Sequence, residues 1–266
     1  MAYVIVTGAY GGIGRSVVSR LSNSGFKVFA LDKKVEESMD NNIIPVECNI
    51  EDIESIKNAF NIINGITDSI YAIMHFAGVY YLDSLIEIEQ ERFERIFRIN
   101  VFGVYLINKT FIPLLHDNSR ILITTSELAP LDPLPFTGIY GITKTTLDKY
   151  SYSLRMELQL KNIWVSVIRP GAVKTKLLDD STRELDKFCE KTSMYNISSN
   201  NFRDIVNKVE AKNITPDRLS KLVLKLINKK KPKFNYNINR NKLLILLNIL
   251  PKSLRFKIIK KILNKK

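Results

Sequence analysis

Short apolar runs alternate with longer amphipathic segments along the first two-thirds of the chain. The runs are rich in β-branched residues and end at turn residues, which is typical of buried strands. They occupy residues 3–7, 27–31, 44–47, 70–75, 120–125 and 164–168. Helical spacing of apolar residues covers 13–24, 52–63, 87–99 continuing past 100, and 140–160. Strands that alternate with helices predict parallel βαβ units, and therefore an α/β, doubly wound sheet covered on both faces.

The remainder of the chain departs from this alternation. Residues 174–213 are polar and weakly periodic, and an insertion at this place in an α/β sheet predicts a variable lid over a ligand. A cap residue, a proline and an acid at 215–217 predict the start of another helix, and 233–237 is a candidate last strand. We therefore expect one α/β domain over residues 1–238, followed by a C-terminal extension at 239–266.

Charge is distributed unevenly along the 266 residues. Lys and Arg number 40 against 27 Asp and Glu, for a formal net charge of +13. No acidic residue follows Asp217, and the last 49 residues hold 16 of the basic ones. The first 217 residues carry 24 basic and 27 acidic side chains, a net charge of −3. The positive charge therefore belongs to the C-terminal region, and the 45% hydrophobic content predicts a folded chain with a sizeable core.

Cysteine content and apolar run length bear on the compartment. Cys48 and Cys189 are the only cysteines, so a disulfide framework is excluded, and no zinc-ligand spacing occurs, so we expect no metal. The N-terminus lacks the basic and apolar stretches of a signal peptide. The apolar run at 243–247 is far short of the ~20 residues that span a bilayer. These features predict a cytoplasmic protein.

A glycine loop joins the first strand to the first helix. Residues 7–14 read TGAYGGIG. Gly8 permits a tight turn, Gly12 lets the backbone approach a pyrophosphate, and Gly14 allows close packing of helix on strand. The free N–H groups at the helix start then bind the anion. Glycines at this spacing, in this strand–loop–helix context, predict a dinucleotide site.

An acid at the end of the second strand bears on the choice of dinucleotide. Asp32 stands where a carboxylate reaches the ribose hydroxyls of adenosine. A carboxylate there repels a 2′-phosphate, which favours NAD over NADP. Lys33 and Lys34 follow directly and offset part of that repulsion, so NADP stays an alternative.

Tyr140 and Lys144 stand four residues apart on a predicted helix and so share one face. A phenol titrates near 10, so acid/base work at neutral pH needs a shift of ~3 units, or ~4 kcal/mol. A fixed ammonium beside the phenol, together with a nicotinamide cation, supplies much of this shift. Ser126 follows the fifth strand, where its hydroxyl is placed to hydrogen-bond a substrate oxygen, and Asn100 lies in the helix after the fourth strand.

These elements, with residues 73–78 (IMHFAG), resemble the short-chain dehydrogenase/reductase family over roughly residues 3–180. The resemblance implies a Rossmann-type, NAD(P)-binding catalytic domain. It implies that Tyr140 is the acid/base and that Lys144 lowers its pKa and binds the nicotinamide ribose. It further implies that Ser126 orients the substrate, while Asn100 holds a water that relays protons through Lys144.

The resemblance also implies a set of cofactor-binding residues in the glycine loop and at the strand ends. Besides Tyr140 and Lys144, they are Gly8, Tyr10, Gly12, Ile13, Gly14, Asp32, Asn49, Ile50, Ala77, Gly78, Pro170, Gly171, Val173 and Thr175. Asn49 and Ile50 are expected to flank the adenine, and Thr175 is expected at the nicotinamide carboxamide.

Three positions depart from the family pattern. Asn49 stands where Asp is usual, and Phe76 stands where Asn is usual, which removes a polar contact. Ser126 lies one residue farther from Tyr140 than is commonest, so the hydroxyls of Thr124 and Thr125 are alternatives to it.

The expected substrate is a lipophilic alcohol or ketone. Residues 129–136 (APLDPLPF) are rigid and apolar, and with residues 79–82 they are candidate pocket walls. Residues 140–175 are similar to the branch that contains retinol and hydroxysteroid dehydrogenases. We expect hydride transfer between NAD(H) and such a substrate, in a homodimer or homotetramer. The alternatives are an NADPH-dependent ketone or 3-oxoacyl reductase and, in another class, a non-catalytic dinucleotide sensor or membrane-associated scaffold.

The basic tail has an apolar part, residues 240–250, followed by a helix that starts near Pro251. In that helix the apolar side chains share one side and the lysines the other, while Arg255 falls on the apolar side and is expected to snorkel. Such a helix is typical of peripheral anchors on anionic lipid, and docking on the protein itself is the alternative. Nucleic acid is not expected, because aliphatic residues interrupt the basic ones and aromatics are sparse.

Overall fold

The computed structural model describes residues 2–265 and contains a seven-stranded, wholly parallel sheet. The strands are β1 (Tyr3–Thr7), β2 (Lys27–Asp32), β3 (Ile43–Glu47), β4 (Ile70–His75), β5 (Leu115–Thr124), β6 (Trp164–Pro170) and β7 (Asn235–Ile238). Their order across the sheet is β3-β2-β1-β4-β5-β6-β7. The predicted doubly wound sheet is confirmed, and its winding reverses between β1 and β4. Ligands bind beyond the carboxyl ends of the strands at such a switch point.

Ten α-helices occur among the described residues, connecting or following the strands. They are α1 (Gly12–Ser22), α2 (Ile53–Asn64), α3 (Gln90–Phe97), α4 (Gly103–Phe111), α5 (Gly138–Leu158), α6 (Lys176–Lys191), α7 (Asn196–Glu210), α8 (Pro216–Ile227), α9 (Lys242–Ile249) and α10 (Lys252–Leu263). A π-helical turn, Arg98–Phe102, joins α3 to α4. Helices α1 and α8 cover one face of the sheet, while α2, α4 and α5 cover the other.

Both faces of the sheet are buried, which explains why the strands read as continuous apolar runs. Successive side chains of β1 alternate between two apolar clusters: Ile5 packs toward α2 and α4, and Val4 and Val6 pack toward α1 and α8. All three are fully buried. The sheet is therefore a rigid base for the loops at its carboxyl edge.

The polar segment 174–213 folds mainly into α6 and α7. Each helix buries a narrow apolar stripe, with Leu185 and Phe188 on α6 and Phe202 on α7, in a third cluster that also holds Phe136. The remaining surface of both helices is polar, which is why the periodicity is weak in the sequence. This helical pair lies beside the carboxyl edge of the sheet and lines a cavity there.

The C-terminal extension packs on the protein through α10. Leu263 is buried and Ile259 packs on the third cluster, next to α7. The expectation that Arg255 snorkels to solvent is wrong: it is 6% exposed, and its guanidinium contacts Asp132 at 2.8 Å. The side of α10 that carries Arg255 is therefore buried against the protein. The ion pair with Asp132 compensates the buried charge of Arg255. Among residues 2–265, no helix is both long enough and apolar enough to cross a membrane.

Candidate active site

In the glycine loop, a Cβ atom would collide with neighbouring atoms at Gly8, Gly12 and Gly14, the positions that the spacing predicts. Gly8 has φ +66°, and a Cβ on it would lie 2.5 Å from the backbone nitrogen of Ala77. A Cβ on Gly14 would lie 1.9 Å from the carbonyl oxygen of Gly8, and one on Gly12 would lie 2.7 Å from a methyl of Thr175. The loop, the start of α1 and the β6–α6 connection therefore lie so close together that only glycine fits at these positions.

A cavity of about 290 Å³ opens over this loop. Ten of the predicted cofactor-binding residues line it: Gly8, Gly12, Ile13, Gly14, Asp32, Asn49, Ile50, Ala77, Gly78 and Thr175. Arg95 of α3 and Cys48 also line the cavity, and no sequence motif singles them out. Gly11 caps α1 without a side-chain hydrogen bond, and the first turn holds no acid, so its N–H groups are available to an anion.

Asp32 ends β2 at the rim of this cavity. Its two carboxylate oxygens accept hydrogen bonds from the backbone nitrogens of Tyr10, at 2.9 Å, and Lys33, at 2.8 Å. Each oxygen keeps a lone pair for a ribose hydroxyl. Tyr10 itself is absent from the cavity lining, since its hydroxyl donates to the carbonyl of Glu36. Its part in the site is therefore the backbone contact that holds the loop on Asp32.

The donor set fits a dinucleotide. The cavity offers a glycine cradle with no room for a Cβ, an uncapped helix N-terminus for the pyrophosphate, and a carboxylate at the end of β2 for a ribose. Arg15, the basic side chain nearest in sequence to the loop, is paired with Glu36 at 2.5 Å. Within residues 2–265, no cluster of three or more His, Cys, Asp or Glu side chains is placed to hold a metal ion.

A second cavity, of about 200 Å³, adjoins the first and contains three of the four predicted catalytic side chains. Ser126, Tyr140 and Lys144 all line it. The predicted cofactor residues Pro170, Gly171 and Val173 line this cavity and are absent from the lining of the first. The cavities share Ile13, Phe76, Ala77, Gly78, Val79, Thr175 and Leu177. A dinucleotide bound in the first cavity would therefore be able to reach the hydroxyls of the second.

The Tyr140–Lys144 pair lies inward on α5. The Lys144 Nζ is 5.6 Å from the centroid of the Tyr140 ring and donates to the Thr124 carbonyl at 3.3 Å. Burial lowers the pKa of Lys144 to about 8. Burial raises the pKa of Tyr140 to about 12, and a hydrogen bond with the Ser126 hydroxyl opposes that rise. At neutral pH the Tyr140 phenol is therefore protonated and the Lys144 amine mostly charged, and both groups are desolvated.

The three hydroxyls after β5 have different surroundings. The Ser126 hydroxyl is buried, touches the Tyr140 phenol, and accepts from the Leu128 nitrogen at 3.2 Å. The Thr124 hydroxyl is buried in the wall of the same cavity and has no hydrogen-bond partner among residues 2–265. The Thr125 hydroxyl lies 3.4 Å from the Asp148 carboxylate. Ser126 is thus the hydroxyl in contact with Tyr140, and Thr124 is a second polar group for a ligand.

Asn100 sits in the π-helical turn between α3 and α4, fully buried. Its Oδ1 accepts from the Val79 nitrogen at 2.9 Å, and its Nδ2 donates to the Val79 carbonyl at 3.0 Å and to the Thr143 hydroxyl at 3.2 Å. A Cβ on Gly78 would lie 3.1 Å from the same Oδ1. Asn100 therefore ties the loop after β4 to α5, which carries Tyr140 and Lys144.

The substrate side of the cavity is lined partly by residues that the sequence predicts and partly by residues that it passes over. Tyr80, from the expected pocket wall 79–82, lies with its ring centroid 4.4 Å from that of Tyr140, and burial raises its pKa well above the usual value. Of the expected wall 129–136, only Leu134 lines the cavity, because Phe136 turns into the third apolar cluster. Glu210 of α7 and Leu244 of α9 also line the cavity. For Glu210 the sequence offers one signal, its position within the predicted lid 174–213.

The sheet order, the closed glycine loop and the Ser–Tyr–Lys set in two adjoining cavities define a dinucleotide-binding oxidoreductase. The family model described as "short chain dehydrogenase" matches residues 2–186. The chain belongs to the short-chain dehydrogenase family, as its motifs indicate, and it is an NAD(P)-dependent oxidoreductase.

Two relatives and one solved structure illustrate the match. The uncharacterized oxidoreductase YbbO of Escherichia coli (strain K12) is 31% identical over 183 residues, which covers 66% of this chain and 68% of that protein. The probable short-chain type dehydrogenase/reductase VdlC of Helicobacter pylori (strain J99) is 28% identical over 256 residues, covering 94% and 93%. A 3-ketoacyl-(acyl-carrier-protein) reductase from Brucella melitensis, crystallised with NADH, shares the fold with a TM-score of 0.73 at 20% identity, covering 89% and 96%.

Proposed function

We propose that this enzyme interconverts a lipophilic alcohol and the corresponding ketone or aldehyde, with NAD(H) as its cofactor and Tyr140 as its acid/base. The observation that carries the proposal is the shared cavity of Ser126, Tyr140 and Lys144, which adjoins the dinucleotide cavity. A non-catalytic sensor has no use for a desolvated phenol beside a buried ammonium, so the pair favours turnover.

The proposed chemistry follows from the surroundings of each group. The nicotinamide, when bound, supplies or accepts the hydride at the substrate carbon. Ser126 holds the substrate oxygen by a hydrogen bond, at a point where charge develops during the reaction. Tyr140 exchanges a proton with that oxygen, and the positive charge of Lys144 stabilises the phenolate. Asn100 holds the loop after β4 against α5. We also propose that Asn100 holds a water that relays protons through Lys144.

The lipophilic character of the substrate rests on the cavity wall. Most of the side chains that surround the catalytic group are apolar, including Leu134, Phe202, Val206 and Leu244. An apolar wall with a few convergent polar groups is the usual form of a site for a largely hydrocarbon ligand. The test is a panel of primary and secondary alcohols of increasing chain length, assayed for NAD⁺ reduction at one pH. The proposal predicts kcat/KM rising with chain length, and a preference for short, hydrophilic alcohols would refute it.

The choice of NAD(H) rests on Asp32 and Arg15. The Asp32 carboxylate lines the dinucleotide cavity, and Arg15 is engaged by Glu36. Lys33 also lines that cavity and favours the second candidate, an NADPH-dependent ketone or 3-oxoacyl reductase. Separate fluorescence titrations with NADH and NADPH distinguish the two. Tighter NADH binding that is lost in Asp32→Ser supports the proposal, whereas equal affinities in the wild type would refute the role given to Asp32.

We further propose a cytoplasmic homodimer or homotetramer with its extension at the membrane periphery. Exposed aromatic side chains support self-association: Phe102 and Tyr105 lie at and after the π-helical turn, and Tyr152 lies on α5. Exposed apolar side chains that form a contiguous patch are a common mark of a subunit interface. Light scattering on the eluted protein gives the mass directly. A monomer at micromolar concentration would contradict this part of the proposal.

A further inference from the structure

Helix α9 exposes apolar side chains that no other part of the described chain covers. Leu243, Leu246 and Ile249 follow one another at three-residue spacing, and each is at least 60% exposed. On the other side of the same short helix, Leu244 lines the substrate cavity. The helix thus has one apolar side toward the site and another toward solvent. A contiguous apolar surface that faces solvent is typical of a site that binds another surface.

Helix α10 continues this surface and adds positive charge. Leu254, Phe256 and Ile262 are exposed, with Phe256 at 66%. The exposed lysines of the same helix are Lys252, Lys257, Lys260 and Lys261. No acidic residue occurs in residues 218–266. Large apolar side chains among lysines match a lipid surface that carries negative headgroups. Two copies of this face would bring their lysines together, which disfavours self-pairing about a two-fold axis.

The extension is fastened to the segment that follows Ser126. The Glu127 carboxylate accepts from the Asn241 nitrogen, at the start of α9, at 2.5 Å. The Asp132 nitrogen donates to the Asn248 side chain at 3.0 Å, and its carboxylate pairs with Arg255. These contacts fix α9 and α10 against the wall of the catalytic cavity. A surface bound by the two helices therefore has a fixed orientation relative to Tyr140.

We propose that the exposed face formed by Leu243, Leu246, Ile249, Leu254, Phe256 and Ile262 binds the surface of a bilayer that contains anionic lipid, so that a lipophilic substrate enters the cavity from that bilayer. Leu177 and Ile205 both line the cavity and are exposed, which places them at its rim. The clause on substrate entry rests on the reaction proposed above, whereas the clause on membrane binding deepens the proposed location of the extension and is independent of that reaction.

The test uses the full chain and sedimentation with sucrose-loaded phosphatidylcholine vesicles, with and without ~30% phosphatidylglycerol. One variant replaces the α9 row, Leu243→Ser/Leu246→Ser/Ile249→Ser. Its matched control replaces three exposed apolar residues elsewhere, Ile62→Ser/Ile66→Ser/Leu160→Ser. A second pair has the same change in net charge: Lys257→Glu/Lys260→Glu/Lys261→Glu in α10, and Lys149→Glu/Lys161→Glu/Lys225→Glu elsewhere.

The proposal predicts that the wild type binds the anionic vesicles and that this binding weakens in high salt. The affinity for the vesicles should fall at least ~10-fold in the α9 and α10 variants and should be unchanged in both controls. Absence of vesicle binding by the wild type, or equal binding by all variants, would overturn it. A wild-type dimer that the α9 variant converts to monomers, with no vesicle binding by either, would assign the face to a second copy instead.

Substrate entry has a separate readout. A long-chain alcohol dissolved in the vesicles is compared with a short, water-soluble one. We expect the α9 variant to lose at least ~10-fold in kcat/KM on the first and to keep its rate on the second. Equal effects on both alcohols would overturn the entry clause while leaving membrane binding intact. A chain that binds vesicles but oxidises neither alcohol would contradict the proposed function alone.

Discussion

Replacing Lys144 with Met tests the electrostatic part of the mechanism. The ammonium lies 5.6 Å from the centroid of the Tyr140 ring in a desolvated cavity. At an effective dielectric constant of ~20, a unit charge at this distance favours the phenolate by ~3 kcal/mol, or ~2 pKa units. Since burial raises the pKa of Tyr140 to about 12, the fraction of phenolate at neutral pH is small and falls a further ~100-fold without the ammonium.

The assay is kcat/KM for oxidation of the best alcohol in the panel, measured from about pH 6 to about pH 10. In the wild type the rate is expected to rise with pH and to level near 8, because Lys144, whose pKa is lowered to about 8, loses its proton there. Lys144→Met is expected to be ~100-fold slower at pH 7 and to keep rising through pH 10. Lys144→Arg, which stays charged, should recover part of the rate without the levelling.

Lys149→Met is the matched control, because Lys149 is exposed on the same helix. It should reproduce the wild-type profile. The reasoning is refuted if Lys144→Met stays within ~3-fold of the wild type at pH 7, or if it loses the same factor at every pH and still levels near 8. The second result would leave Lys144 only a binding role.

Three other substitutions have defined outcomes. Ser126→Ala should lower kcat by ~10²-fold, as expected for loss of a donor at the developing charge, while Thr124→Val costs ~10-fold or less; steady-state kinetics measure both. Gly14→Ala should lower NADH affinity at least ~10-fold because its Cβ would overlap a loop carbonyl at 1.9 Å, whereas Gly65→Ala, with contacts of 3.4 Å or more, should bind normally in fluorescence titration. Burial lowers the pKa of His75 to about 4, whereas in the unfolded chain the pKa is ~6.5. As the pH falls below ~6.5 the unfolded state binds a proton that the folded state does not, so the folded state loses stability. Urea unfolding should show a wild-type loss between pH 7 and about 4.5 that exceeds that of His75→Gln by ~2.5 kcal/mol; equal losses would contradict this account.

Local signals account for the parts of the fold that the sequence predicts well. The parallel order follows from alternating strands and helices, since a parallel connection must cross back over the sheet. The glycine loop is predictable because its requirement for close approach is confined to a few residues. Tyr140 and Lys144 are predictable as a pair because four-residue spacing places them on one helix face whatever the rest of the fold does.

Contacts between distant segments are what the sequence does not reveal. Leu244 and Glu210 reach the cavity only because α9 and α7 pack beside the loops after the strands. Arg255 appears misplaced on an apolar helix face until Asp132, more than 120 positions earlier, is seen beside it. The sequence predicts Tyr80 as part of a pocket wall, but it does not predict the contact of its ring with Tyr140. Each of these depends on tertiary placement, which periodicity does not encode.

Tyr140→Phe tests the central claim most directly, since it removes one oxygen atom and leaves the ring packed on Tyr80. The account predicts turnover lowered by at least ~10³-fold at every pH, with NADH affinity within ~3-fold of the wild type by fluorescence titration. Turnover at the wild-type rate with normal cofactor binding would contradict the assignment of Tyr140 as the acid/base.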